Sequence, residues 1–596
     1  MLKKFFWNLL SSFVGAWIAL LGFGVLIFFV IVGMIARIGI SSSSEQMSLE
    51  KHSILKINLS GTIDERQQPL DMNYITLIRG NVEKAQSLQT LVTAIDEAKD
   101  NKNIDAIYLD CGGVSAGFAT LDALRTALTE FKASGKKIYS YGDFYTTGDY
   151  FVASCADSVF MNPEGSISLQ GITGTIPYMK GLFDKLGIRF QVVKVGTFKS
   201  AVEPYIMEEM SEPARAQLDT LYGNIWSYLK EKMASSRGIQ PSDISRLINT
   251  DFVMFAAPQT AVKGKLIDKL VPGRRMKESL ASLVGKDPEK LNFVSPEFMT
   301  SQTDWGTSYS EKNQIAVLYA TGEISETAEN GINCFKLVPE IVKLADDDNV
   351  KGLVLRVNSP GGSVFGSAEI AEALQYFKSK KKPFAVSMGD YAASGGYWIS
   401  ADADRIFADP LTITGSIGIF GLLPEVSGLT EKLGVNMQTV STDPNAAFPS
   451  LFKPMTEQQY GVMQAYINRG YDRFVKRVAK GRHLAESKVR VIAEGRVWDA
   501  VTAHKIGLVD ELAGLRECIA WTAKKSGLGD NYDVALYPQT EPSFWDMLPS
   551  ASSARIYEAV SKAMNPSLDP RVAAHAVEVI RRKPIQARMI PIDLTY

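Results

Sequence analysis

Short apolar runs alternate with amphipathic stretches through the middle of this chain. Residues 352–357, Gly-Leu-Val-Leu-Arg-Val, form a compact apolar run that Asn358-Ser359-Pro360-Gly361-Gly362 brings to an end. That is the pattern of a buried strand running into a glycine loop. Ile370, Leu374 and Phe377 then recur at i, i+4 and i+7, which predicts a helix with one apolar stripe. A second apolar run at 384–388 predicts the next strand; it ends at Gly389, and a short helix is expected to start near Ser394. Strands separated by helices predict an α/β fold of βαβ units with a largely parallel sheet, buried on both faces.

The same plan appears earlier in the chain. Residues 106–109 and 137–140 predict strands, and residues 142–150, Gly-Asp-Phe-Tyr-Thr-Thr-Gly-Asp-Tyr, echo residues 389–397, Gly-Asp-Tyr-Ala-Ala-Ser-Gly-Gly-Tyr, 247 positions later. The offset persists: Ala156-Asp157, Phe160, Pro163 and Gly171 answer to Ala403-Asp404, Phe407, Pro410 and Gly418. The runs 54–59 and 315–320 open the two copies as strands, leading into Ser60-Gly61-Thr62-Ile63 and Thr321-Gly322-Glu323-Ile324. The spacing from Gly61 to Gly142 exceeds that from Gly322 to Gly389 by 14 residues, and the excess falls around 64–81, where polar text has no counterpart. The chain is an internal duplication. At 596 residues it exceeds one core, and the duplication makes two large domains the natural count.

One stretch breaks the globular pattern. No charge appears between Lys4 and Arg37, and residues 13–32 are long and apolar enough for an uncleaved membrane-spanning helix. Lys3 and Lys4 outweigh Arg37, so the amino terminus is expected in the cytoplasm and the body outside it. Ser41 to Ser44 read as a flexible neck. Beyond about Leu536 the text turns Pro-, Ser- and Trp-containing, with two short helical stretches near 555–563 and 571–581. The expected organisation is an anchor at 1–36, a linker at 37–50, a first repeat at 51–305, a second at 306–536 and an extension at 537–596.

Charge adds little: 64 basic residues against 65 acidic ones imply no broad nucleic-acid surface. Cys111, Cys155, Cys334 and Cys518 lack zinc-ligand spacing and read as buried small hydrophobes, with a long-range disulfide as the minority alternative.

The candidate chemistry centres on Ser394. It follows a strand, sits among small residues and opens a helix whose free amides favour negative charge, the setting a serine nucleophile and its oxyanion require. The Gly395 amide is one candidate donor; the other comes from the 360–362 loop, with Gly362 preferred to Gly361. Ala-Ala-Ser-Gly-Gly alone fits a tight structural turn more often than a nucleophile. None of the four histidines, His52, His483, His504 and His575, has a triad-like neighbourhood. A lysine neutralised by burial can replace histidine as base. Lys199 stands in Gly196-Thr197-Phe198-Lys199-Ser200-Ala201-Val202-Glu203-Pro204; counted from Gly187 and its counterpart Gly434, it corresponds to Ala446. The first copy thus has Lys199 and Thr147, the second Ala446 and Ser394. Taken without that context, Lys199 reads as a solvated surface lysine.

At these residues the chain resembles the long form of the signal peptide peptidase A (protease IV) family. The markers are Asn358 to Ser363, Gly389 to Tyr397, Thr414-Gly415-Ser416-Ile417-Gly418 and Lys199-Ser200-Ala201-x-Glu203-Pro204. The resemblance implies two tandem Clp protease/crotonase-like repeats behind an N-terminal transmembrane helix. It implies a serine endopeptidase with Ser394 as nucleophile and Lys199 as general base, and needs no metal or other cofactor. It also implies a homotetramer at the bacterial inner membrane, its catalytic body periplasmic, acting on cleaved signal peptides and other hydrophobic or unfolded segments. Asp110-Cys111-Gly112-Gly113 departs from the family's glycine loop, so the first copy is not expected to hold a second active site. Two other readings compete: a crotonase-like acyl-CoA enzyme, whose fold uses a similar oxyanion hole, and an inactive oligomeric membrane scaffold.

Overall fold

A computed structural model describes residues 49–66, 85–301, 313–328, 330–539 and 585–588. The predicted anchor, the neck, most of the extra first-copy segment and the two late helical stretches lie outside the described residues. Among the described residues no helix is long and apolar enough to cross a membrane. Residues 50–66, 85–301 and 313–539 fall within one compact unit.

The first sheet is built from β1 (Ser53–Asp64), β2 (Ile104–Ser115), β3 (Lys137–Thr146) and β4 (Ser158–Ser168), hydrogen-bonded in that order and all parallel. Helices α1 (Leu88–Asp100), α2 (Phe118–Ala133) and α3 (Thr147–Ala153) make the crossovers. Strand β5 (Arg189–Lys194) and the long helix α4 (Glu212–Arg237) follow.

The second copy repeats the order. It has β6 (Gln314–Thr321), the short β7 (Ile324–Ser325), α5 (Cys334–Asp346), β8 (Val350–Ser359) and β9 (Gly361–Ser363). After these come α6 (Val364–Ser379), β10 (Phe384–Ala393), α7 (Gly395–Ser400), β11 (Arg405–Ala408) and β12 (Ile413–Gly415). The chain then adds β13 (Phe420–Glu425), α8 (Glu457–Gly481), β14 (Val497–Asp499), α9 (Leu515–Lys525), β15 (Asp533–Tyr537) and β16 (Ile585–Arg588). The duplication holds to the residue in the crossovers: α1 and α5 each have 13 residues, α2 and α6 each 16. The predicted strands and the 370–377 helix all form. In the second copy the near-continuous apolar text follows from burial on both faces, where the alternation of a half-exposed strand is not needed; every residue from Ile315 to Ala320 is buried. All four cysteines are free and buried, as read from their spacing.

The copies are not separate bodies. Strand β5 of the first pairs antiparallel with β13 of the second, from Lys194 opposite Phe420 to Arg189 opposite Glu425, and Val193 enters the second copy's apolar core. Polar ties also cross the boundary. Glu65 takes Arg356 by two hydrogen bonds of 2.9 and 3.0 Å. Asp390 accepts from the amide and hydroxyl of Thr120, at 2.9 and 2.7 Å near the start of α2. Arg516 donates to Asp96 and Glu130. Both Glu65 and Arg356 are buried, and Arg356 also donates to Ser387 Oγ and the Met388 carbonyl. Removing one partner of such a pair leaves an uncompensated buried charge. Glu65→Ala is therefore expected to cost about 3–5 kcal/mol, read as a lowered denaturation midpoint in urea.

Candidate active site

Strand β10 ends directly beneath Ser394, which turns the chain into α7. The turn is strained, with Ser394 at φ 57° and ψ −115°, a region side chains other than glycine rarely enter and which clusters at functional sites. Two backbone bonds fix it: Ser394 N–H to the Gly415 carbonyl at 2.8 Å, and Trp398 N–H to the Ser394 carbonyl at 2.8 Å.

Lys199 reaches this serine because β5 has crossed to the second copy. It stands five residues beyond β5 in a clamped loop, where Val195 N–H donates to the Ile419 carbonyl and Phe198 N–H to the Glu494 carbonyl. Gln217 on α4 donates to the Phe198 carbonyl and Ser200 Oγ while accepting from Val497 N–H. Arg496 lies over the rings of Phe198 and Trp498. Buried Glu203 accepts from Ser211 Oγ at 2.7 Å and from Ser211 N–H at 3.2 Å, so this residue of the Lys-Ser-Ala-x-Glu-Pro marker holds the loop.

The two predicted partners meet. Lys199 Nζ lies 2.8 Å from Ser394 Oγ, 3.0 Å from Ser416 Oγ and 3.1 Å from the Ser416 carbonyl. Lys199 is 1% exposed and Ser394 fully buried. These three oxygens are uncharged, so nothing there offsets the loss of water, and burial holds the Lys199 amine well below its ordinary pKa. Among the described residues, His52 pairs with Asp105 and His504 with the Val509 carbonyl.

The two glycines also adjoin. Gly362 has φ 152°, and a methyl group on it would fall 2.2 Å from the Ile324 carbonyl oxygen. A methyl group on Gly395 would lie 3.1 Å from the Gly362 nitrogen. Gly361 is set apart, because its N–H donates to Ser359 Oγ at 3.2 Å. The arrangement offers a hydroxyl, an amine at its proton and a glycine-lined helix start beside both, which are the parts acyl transfer requires.

The first copy spends the equivalent groups internally. Thr147 Oγ1 donates to the Ser168 carbonyl. The Asp149 carboxylate accepts from Val114 N–H of the glycine loop at 3.0 Å and from Thr146 N–H at 3.0 Å. Burial pushes the Asp149 carboxyl pKa up while these bonds oppose the shift.

Sequence reasoning gave no role to Ser416, although it lies within the Thr414–Gly418 marker, and it passed over Gly495. Gly495 has φ 77°, and a methyl group there would come 2.6 Å from Lys199 Cβ. No periodicity or motif marks it; only the cross-copy packing does.

Two expectations follow. Gly495→Ala should displace the lysine and lower kcat by about 100-fold while the far-UV circular dichroism stays native. Lys199→Met should raise the urea midpoint at pH 7. The unfolded lysine keeps its usual value of 10.5 while the buried one lies well below. Between the two, the unfolded chain binds the extra proton and wild-type stability rises with pH. The gain in Lys199→Met should therefore shrink as the measurement moves from pH 7 to pH 10.

Known proteins resemble this chain over most of its length. The model of peptidase family S49 matches residues 130–286 and 376–529, and the Clp protease model matches 302–408. Protease 4 of Haemophilus influenzae is 34% identical over 504 residues, 82% of this chain and 81% of the relative. Protease 4 of Salmonella typhi is 32% identical over 557 residues, 91% of this chain and 89% of the relative. A solved ClpP1 variant from Listeria monocytogenes aligns over 34% of this chain and 94% of its own, with 15% identity and a TM-score of 0.24. The peptidase match favours neither an acyl-CoA enzyme nor an inactive scaffold. The chain belongs to peptidase family S49, in its long two-repeat form, and is a serine-type endopeptidase.

Proposed function

We propose that Ser394 and Lys199 form a Ser–Lys dyad, with the first repeat (51–305) supplying the base and the second (306–536) the nucleophile. The observation that carries this reading is the buried 2.8 Å approach of the Lys199 amine to the Ser394 hydroxyl. Neutral Lys199 takes the Ser394 proton as Oγ attacks the peptide carbonyl. The Gly362 and Gly395 amides hold the oxyanion, and Lys199 returns the proton to the leaving amine. Water then enters, Lys199 acts again as base, and the acyl group leaves Ser394. Ser416 orients the amine through its hydroxyl and carbonyl.

The substrates in this reading are signal peptides left after cleavage and other hydrophobic or unfolded peptides. Residues 13–32 anchor the chain once in the bacterial inner membrane, with the amino terminus cytoplasmic and the catalytic body periplasmic, close to where such peptides emerge. Copies assemble as a homotetramer. Support for self-association comes from the apolar residues Leu433, Val435, Met437 and Val440, which stand exposed on one stretch.

The test is labelling with a fluorophosphonate and cleavage of a denatured protein or hydrophobic peptide. Ser394→Ala should lose labelling and turnover, and Lys199→Ala should lose about 100- to 10,000-fold in kcat. Because the base works only when neutral, kcat/KM should rise with pH through a single ionisation lying well below the ordinary lysine range. Wild-type rates in both variants would refute the dyad.

A further inference from the structure

Strands β8 and β10 pair residue for residue from Leu353–Phe384 to Val357–Met388, and the next pair is Ser359–Ala392. Between those pairs β8 has one residue, Asn358, and β10 has three, Gly389, Asp390 and Tyr391. Such a bulge bends its strand and re-aims the side chains beyond it. Here the bend moves β10 to a new neighbour. Before it, Ala385 to Met388 pair with β11; after it, Tyr391 to Ala393 pair with β12, whose Gly415 carbonyl takes the Ser394 amide.

The side chain of Asn358 spans the bulge. Its Oδ1 accepts from Tyr391 N–H at 3.1 Å, and its Nδ2 donates to Asp390 Oδ2 at 3.3 Å and to Glu65 Oε1 at 3.2 Å. These partners fix which end of the amide is which, because carboxylates accept and an N–H donates. Glu65 comes from the first copy, and Gly389 leaves the room for it: a methyl group there would fall 2.3 Å from Glu65 Oε1. Arg356 holds the same carboxylate.

Gly362 follows Asn358 by four residues, and Ser394 follows Tyr391 by three. The amide therefore links the two segments that must face each other when an oxyanion forms. The first copy lacks this link. Tyr141, 247 positions before Met388, pairs with Asp110, and Cys111 follows in register opposite Gly142. The counterpart of Asn358 is thus Cys111, whose thiol lies 3.4 Å from Ser140 Oγ.

We propose that Asn358 is a positioning residue: gripped by Glu65 of the first copy, it sets the 360–362 loop against Ser394 and so aims the Gly362 and Gly395 amides at the oxyanion. The proposal rests on the Ser–Lys reading, which makes Ser394 the nucleophile. The first copy then serves the site twice, through Lys199 as base and through Glu65 as the anchor of the amide. A misplacement of about 1 Å at such a site costs about 100-fold in rate.

The experiment measures how tightly a peptide aldehyde and the matching peptide alcohol bind wild type, Asn358→Ala and Asn358→Asp. Ser394 Oγ adds to the aldehyde carbon, and the carbonyl oxygen becomes the anion that the amides must hold; the alcohol binds without that step. Asn358→Ala should bind the aldehyde about 100-fold more weakly and the alcohol as wild type does, with kcat lowered by a similar factor and KM unchanged. In Asn358→Asp the introduced carboxyl still accepts from Tyr391 N–H. The charged groups gathered there are Glu65 after β1, Asp390 of β10 and Arg356 of β8, with the Tyr319 phenol of β6 beside Arg356. Ionised, the introduced group repels two carboxylates; protonated, it donates to one of them as the amide did. Its aldehyde affinity relative to wild type at the same pH should therefore recover as pH falls from about 8 to about 5, while the ratio for Asn358→Ala stays flat.

Equal weakening of aldehyde and alcohol overturns the proposal, as does wild-type aldehyde affinity in Asn358→Ala or a ratio for Asn358→Asp that ignores pH. If Asn358→Ala loses the native far-UV circular dichroism, the pH response of Asn358→Asp decides alone. Ser394→Ala separates the two readings: aldehyde affinity equal to wild type in that variant refutes the nucleophile, whereas a large loss there with none in Asn358→Ala refutes the positioning role alone.

Discussion

The seating of one amine in a dry site is the constraint on which this structure turns. Lys199 gives up water for three neutral oxygens, and an ammonium group so placed is penalised by burial. A lysine on a mobile loop would simply swing back to solvent. The surrounding chain prevents that: β5 is built into the second copy's sheet region, Gln217 ties the loop to β14, and Gly495 leaves room for the lysine stem and nothing more. The cross-copy packing is thus the means by which a low-pKa amine is kept beside a serine.

The duplication explains how one chain can offer such a site. Equivalent residues have been turned to different uses. Asp390 in the second copy receives the amide and hydroxyl of Thr120 in the first. Its counterpart Asp143 accepts from Tyr141 and Asn162 within its own copy. One aspartate joins the copies, and the other braces a local turn. The buried Glu65–Arg356 pair joins them again below the site, where a low dielectric makes a broken partnership expensive.

Much of this was readable in the residues because the local rules and the final packing agree. The strands at 352–357 and 384–388 are mostly apolar and run into glycine-containing turns, and the 370–377 stripe has one period, so burial and propensity point the same way. Ser394 and Lys199 were visible as complementary differences between two copies, and the marker text around them belongs to a known family pattern. What the sequence could not disclose is what depends on contacts between distant segments. Gly495 looks like any loop glycine until Lys199 is placed against it. Ser416 sits inside a family marker, and its hold on the amine exists only after β12 and the 196–202 loop converge. The pairing of 585–588 with β9 and β13 arises across more than 160 positions of chain, beyond the reach of periodicity.

Asp149 brings a different consequence. In the first copy the Asp149 side chain accepts from Val114 N–H of the glycine loop. The donors of that loop are thus spent inside the copy that owns them, and the two repeats cease to be interchangeable in their backbone as well as in their side chains.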